Sequence, residues 1–146
     1  MSICITGGAG FVGSSLARRY RARYPERRIV AFDNLKRRGA EFNLADFKAL
    51  DIEFEHGDVR IADDLEAVAG DFDLLIDASA EPSAHAGADG SPNYLIDTNL
   101  GGTLNCLAWA RKRGSALLFL STSRVYSLSA LRQLPLRSEE RRVGKE

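Results

Sequence analysis

Residues 3–20, ICITGGAGFVGSSLARRY, decide how the rest of the chain is read. Four strand-forming residues, Ile3–Thr6, run directly into glycines at positions 7, 10 and 13, and Val12, Leu16 and Tyr20 then recur at helical spacing. In a strand–turn–helix unit of this kind Gly7 permits the tight turn, Gly10 lets backbone approach a diphosphate, and Gly13 lets helix and strand pack closely. The helix N-terminus adds free N–H groups and a partial positive charge. A glycine-rich turn without a ligand has the same local sequence; its place between a strand and a helix is what favours a dinucleotide. No Gly-Lys-Ser/Thr follows, which excludes the phosphate-binding loop of nucleoside triphosphatases.

Outward from this turn, short apolar runs alternate with segments of helical period. Strands are expected at Ile3–Thr6, Ile29–Asp33, Ile52–His56, Leu74–Ala78 and Ala116–Ser121, and such runs suit strands covered on both faces. Helices are expected at Phe11–Arg23 and Ala62–Ala69, with a loop and a short helix within 34–50. A longer helix starts at Ser91 as N-cap with Pro92 at its first position, carries Ile96, Leu100, Leu104, Leu107 and Ala108 on one stripe, and ends at Gly114. Alternation of this kind predicts an α/β fold: a Rossmann-type doubly wound parallel sheet of about five strands in the order 3-2-1-4-5. One dinucleotide-binding domain spans 1–137, and 138–146 form a charged tail.

Composition narrows the classes of function. Twenty basic and twenty acidic residues cancel, so no bulk field draws nucleic acid or an anionic membrane. The arginines at 18, 19, 21, 23, 27 and 28 read as a solvated helix surface rather than a nucleic-acid patch. No run approaches the roughly 18 apolar residues of a membrane span, and the N-terminus lacks the pattern of a secretory signal. Cys4 and Cys106 have no metal-ligand spacing and read as reduced core thiols, so no metal is expected and the chain is expected in the cytoplasm.

Asp33 ends the second expected strand, twenty residues after Gly13. A carboxylate there accepts hydrogen bonds from the adenosine ribose and repels a 2′-phosphate, which favours NAD over NADP. Lys36, Arg37 and Arg38 act the other way if they attract a 2′-phosphate, and not at all if they form a solvated loop. At the end of the third strand, Asp58 and Val59 are placed to meet an adenine edge, although any surface turn can contain Gly-Asp.

Taken together, ITGGAGFVGSSL (5–16), FDNLKRRGA (32–40), HGDVR (56–60), DTNLGGTLN (97–105) and STSRVYS (121–127) resemble the extended short-chain dehydrogenase/reductase family, and within it the NAD-dependent sugar-nucleotide epimerases and dehydratases. The loop after Asp33 and the Ser-Thr pair before Val125 and Tyr126 are similar to the CDP-paratose (tyvelose) 2-epimerase group. The resemblance implies diphosphate contacts from Gly7, Gly10, Phe11, Val12 and Gly13, ribose contacts from Asp33 and Asn34, and adenine contacts from Asp58 and Val59. It implies that Asp77–Glu81, through Ala78 and Ala80, passes the nicotinamide ribose, with Asp77 where a histidine is usual. Asn99 then supports the active-site backbone beside the cofactor, and Thr122 is the catalytic hydroxyl. A nucleotide-sugar substrate and a homo-oligomeric full-length enzyme follow from the same resemblance.

The family's acid/base pair, Tyr-x-x-x-Lys, is absent: Tyr20, Tyr24, Tyr94 and Tyr126 are followed four residues later by Tyr24, Arg28, Thr98 and Ala130. A fragment that ends before the substrate-binding region is therefore expected. Residues 137–146, RSEERRVGKE, hold seven charges and read either as a solvated tail or as codons foreign to the family. Two classes of function stay open. One is the NAD-binding portion of an epimerase, or of a dehydratase of the same family; the other is a regulatory NAD(P)-binding module without chemistry.

Overall fold

The structure is a computed structural model and describes residues 2–83, 87–88, 91–122 and 127–134. Tyr126 and the tail 138–146 lie outside the described residues. Five parallel strands, β1 (Ile3–Thr6), β2 (Ile29–Asp33), β3 (Glu53–His56), β4 (Leu74–Asp77) and β5 (Ala116–Phe119), form one sheet in the order β3-β2-β1-β4-β5. That is the expected order, and each strand lies within two residues of its expected span. Thr6 pairs in register with Phe32 on one side and Asp77 on the other, so the ends of β1, β2 and β4 lie level.

Alternation along the strands feeds two cores. Ile3, Ile5, Ile29, Ala31 and Ile76 face α1 (Phe11–Arg23) and α2 (Asn43–Ala49), where they pack with Ala17 and Phe47. Cys4, Val30, Phe32 and Leu75 face α3 (Ala62–Ala67) and α5 (Thr103–Arg113), where they pack with Leu65, Cys106 and Trp109. The Trp109 indole is buried and its Nε1–H donates to the Leu65 carbonyl at 2.7 Å, locking α5 to α3. Both thiols are free and buried, and burial pushes each up to about 12.

Three expectations change. β3, with the sequence EFEH, and β5 are exposed edge strands rather than strands covered on both faces, because each pairs on one side only among the described residues. The expected long helix is a composite of α4 (Asn93–Ile96), a π-helical stretch over Asp97–Gly102, and α5. The N-cap is Pro92, one residue later than expected, although Ser91 Oγ accepts from Asn93 N–H at 3.2 Å; Gly114 ends the helix in the left-handed conformation. Its stripe Ile96, Leu100, Leu104 and Leu107 faces outward, while Gly102, Cys106, Trp109 and Ala110 pack inward.

The arginines of α1 and the segment after it also do more than meet solvent. Arg18 reaches Asn43 and Asp46 on α2. Arg21 binds the carbonyls of Pro25, Arg27 and Asp51, and Arg28 makes a forked pair with Glu53. They tie α1 and β2 to α2 and β3. A short α6 (Leu128–Arg132) is exposed throughout.

A cleft at the carboxyl ends of the strands

Beyond the ends of β1, β2, β3 and β4 lies one cleft, lined by Gly7, Gly10, Asp33, Asn34, Val59, Ala78 and Ala80 among the residues expected there. The turn that forms its floor is built by close approach. Gly7 has φ +64°, a conformation open to glycine at no steric cost. A Cβ at Gly13 would lie 2.1 Å from the Gly7 carbonyl oxygen, so α1 can start this close to β1 only with glycine at that place. The N-cap of α1 is Gly10, which supplies no side-chain cap, and the first turn carries no acidic residue. The orphan N–H groups at the start of the helix are thus unclaimed by a capping side chain and open to an anion. Phe11 is 88% exposed beside them and Val12 is exposed as well; neither lines the cleft.

Asp33 serves the protein as well as any ligand. Its Oδ2 accepts from Ala9 N–H at 3.1 Å and its Oδ1 from Leu35 N–H at 2.8 Å, which ties the glycine turn to the end of β2. Asn43 Nδ2 donates to the Ala9 carbonyl at 2.9 Å from the other side. Asp58 stands just behind the lining residues. Its carboxylate accepts from Arg60 Nε at 2.9 Å, from an Arg60 terminal nitrogen at 2.5 Å and from Asn34 Nδ2 at 2.9 Å. The Arg60 guanidinium above all holds the Asp58 carboxyl well below the usual carboxylate range, with the Arg60 N–H and Asn34 adding to it. Val59 is buried, and its carbonyl accepts from Asn105 Nδ2 at 2.8 Å.

Asn99, on the π-helical stretch, grips the backbone of Glu81 from both sides. Its Oδ1 accepts from Glu81 N–H at 2.8 Å and its Nδ2 donates to the Glu81 carbonyl at 3.2 Å. It therefore meets the cleft through Glu81, which is itself a lining residue. Thr122 lies beyond the end of β5, exposed and not among the lining residues.

Sequence reasoning missed Tyr94 and Thr98. Both line the cleft, and their spacing of four on one helical face was the available signal. Two cations approach the Tyr94 ring, with Lys36 Nζ 3.1 Å and Arg60 Cζ 4.8 Å from its centroid. Lys36 is thus partly engaged at the cleft rim, and Arg37 lines the cleft beside it. Thr98 is 7% exposed and its hydroxyl has no hydrogen-bond partner among the described residues. An unpaired buried hydroxyl costs about 1–3 kcal/mol, and the Thr98 oxygen is itself closed off from solvent behind the lining. The open helix N-terminus, with the glycine turn and the Asp33 carboxylate in the same cleft, makes the residues present a fit for a dinucleotide. Among the described residues no group of side chains could hold a metal ion, and no helix is long and apolar enough to cross a membrane.

Comparison with known proteins agrees with this geometry. The model of the NAD dependent epimerase/dehydratase family matches residues 3–143. CDP-paratose 2-epimerase of Salmonella typhi is 34% identical over 131 residues, covering 86% of this chain and 38% of that enzyme. Among solved structures, the DesIV double mutant of Streptomyces venezuelae, a dTDP-glucose 4,6-dehydratase with NAD bound, is 32% identical with a TM-score of 0.76 over 86% of this chain and 41% of that one. The ADP-L-glycero-D-manno-heptose-6-epimerase of Helicobacter pylori is 30% identical with a TM-score of 0.74 over 86% and 40%. The chain spans about two fifths of the length of these relatives. By fold, by the glycine turn with its acidic partner on β2, and by a match over nearly all its length, the chain belongs to the NAD-dependent epimerase/dehydratase family.

Proposed function

We propose that this chain is the NAD-binding portion of a sugar-nucleotide epimerase similar to CDP-paratose 2-epimerase, a domain spanning 1–137. The observation that carries the reading is the single cleft in which the glycine turn, Asp33, Val59 and the Ala78–Glu81 backbone meet. The dinucleotide supplies, when bound, a place to hold a hydride taken from a sugar ring carbon and returned to its opposite face. The chain's own residues bind and orient. Amides at Phe11, Val12 and Gly13 receive the diphosphate where Gly7 and Gly10 let the backbone approach it, the Gly10 N–H itself being held by the Gly7 carbonyl; Asp33 and Asn34 accept from the adenosine ribose, and Asp58 and Val59 meet the adenine. Ala78 and Ala80 border the nicotinamide ribose, and Asn99 keeps that strand of backbone in place. Thr122 orients and polarises the reacting oxygen. A dehydratase of the same family is the second reading, favoured by the dTDP-glucose 4,6-dehydratase among the matched structures.

Cofactor choice follows from Asp33. A 2′-phosphate placed beside its carboxylate meets like charge, while Lys36 is partly engaged with Tyr94. Calorimetric titration is expected to show NAD bound more tightly than NADP by the folded chain; NADP preferred, or neither bound, contradicts the proposal.

Chemistry separates from binding. With no Tyr-x-x-x-Lys in the sequence, the 146-residue chain should hold NAD and turn over no nucleotide sugar, since a missing general base forfeits a factor of about 10² to 10⁴ before positioning is counted. In a longer protein that carries the pair, Thr122→Ala should lower turnover by a comparable factor and leave NAD affinity nearly unchanged. An epimerisation assay with CDP-, UDP- and dTDP-sugars checks both, and clear turnover by the short chain would sink this assignment of roles.

The outward stripe of Ile96, Leu100, Leu104 and Leu107, together with the side of β5 left unpaired among the described residues, is a surface for a second copy of the chain. Homo-oligomers are expected, and sizing chromatography checks this. A strict monomer at high concentration speaks against it.

A further inference from the structure

Asp77 ends β4 beside Thr6, the last residue of β1, and is 1% exposed. Four donors satisfy its carboxylate: the Thr6 hydroxyl at 2.8 Å, the Ser79 hydroxyl at 2.6 Å and the Ser79 N–H at 3.1 Å on Oδ1, and the Thr103 hydroxyl at 3.1 Å on Oδ2. All four are neutral. Among the described residues no lysine, arginine or histidine pairs with it, in contrast to Asp58, whose charge is matched by Arg60. The chain just after Asp77 lies against the glycine turn, for a Cβ at Gly7 would meet the Ala78 carbonyl oxygen at 2.6 Å and Ser79 Cα at 2.8 Å. Asp77 is therefore an unneutralised carboxylate directly under the β4 side of the cleft.

The cleft is electrically two-ended. On the β2 and β3 side its acidic residues share the rim with Lys36 and Arg37, and Arg60 pairs with Asp58 close by. On the β4 side stand Asp77 beneath the surface and Glu81 in the lining, without a cationic partner among the described residues. In an open α/β sheet a dinucleotide straddles the point where strand order reverses, here β1, one nucleotide on each side. Asp33 assigns the adenosine half to the β2 side, so the nicotinamide half lies over β4. The oxidised nicotinamide ring is a cation and the reduced ring is neutral.

We infer that the Asp77 carboxylate biases the bound cofactor toward its oxidised form, binding the cationic ring in preference to the neutral one. The inference rests on the NAD-binding reading above. By Coulomb's law at an effective dielectric of about 20, a fixed unit charge within about 10 Å changes the affinity ratio of the two forms by roughly tenfold or more. Burial and then the neighbouring Asp77 charge raise the Cys106 thiol, which agrees with a negative field on this side of the sheet. An enzyme that borrows a hydride and returns it has use for such a bias, because it must be found oxidised when each substrate arrives.

The isosteric substitution Asp77→Asn removes the charge and can keep the hydrogen bonds. Thr103 Oγ1 lies 3.0 Å from the Asn99 carbonyl as well as 3.1 Å from Asp77 Oδ2, so its proton can serve Asn99 while its lone pair accepts from the new amide. Titration of NAD+ and NADH into the wild-type chain and into Asp77→Asn tests the inference. The ratio of the two dissociation constants is expected to move about tenfold toward NADH, equivalent to about 30 mV for a two-electron couple. A purely structural role would weaken both forms alike, and an unchanged ratio with both forms bound overturns the inference while leaving NAD binding intact. If Asp77→Asn does not fold, the wild-type chain still decides. It is expected to bind NAD+ at least as tightly as NADH, and a clear preference for NADH overturns the inference. Failure of folded wild-type chain to bind either form overturns the NAD-binding reading, and this inference with it.

Discussion

The contact between the start of α1 and the turn that precedes it governs the rest of the structure. A hydrogen at position 13, in place of any side chain, lets the helix lie against the Gly7 carbonyl. The same turn lies against the Ala78–Ser79 backbone, so β1, α1 and the exit of β4 converge with no side chain between them. Backbone brought this close presents its dipoles at short range, and the helix N-terminus becomes an anion site because nothing else caps it. Even one methyl at position 13 would have to push α1 away from the sheet and take the amides with it.

Polar side chains hold what the glycines cannot. Asp33 and Asn43 pin the turn through the Ala9 amide and carbonyl, and Asp77 joins β1 to the exit of β4 and to α5. Each such group would cost about 1–3 kcal/mol if left unpaired in the interior, so these bonds specify the arrangement more than they add to its stability. The acidic residues are therefore shared between architecture and ligand. Asp33 holds the turn with both oxygens and still has lone pairs to face a ribose, whereas the Asp77 carboxylate is engaged entirely within the protein and can act on a ligand only through its field.

The sequence made the sheet legible because strand, glycine turn and helix follow one another without interruption in 3–23, and the span of α1 is the one expected. Asp33 and the glycines were legible for the same reason: their spacing carries a mechanism. The helix over 91–113 was legible as a helix but not in its facing. Periodicity marks a stripe, and here the large aliphatic stripe is the exposed one, while the inward face uses Gly102, Cys106, Trp109 and Ala110. Tyr94 and Thr98 escaped notice because their spacing of four marks a shared helical face but not what that face covers, which is decided when the fold brings it over the cleft. The surface arginines looked like a solvated run, and their bonds to α2 and β3 depend on elements distant in sequence.

The central claim is that the first turn of α1 receives a diphosphate. The most direct measurement is a ¹⁵N–¹H NMR titration of this 16.0 kDa chain with NAD, following the backbone amides one by one. The account predicts the largest shifts at Gly7, Gly10, Phe11, Val12 and Gly13, with Ala9 and Leu35 moving through their bonds to Asp33. Shifts confined to other surfaces, or a folded chain whose α1 amides do not respond to saturating NAD, would contradict it.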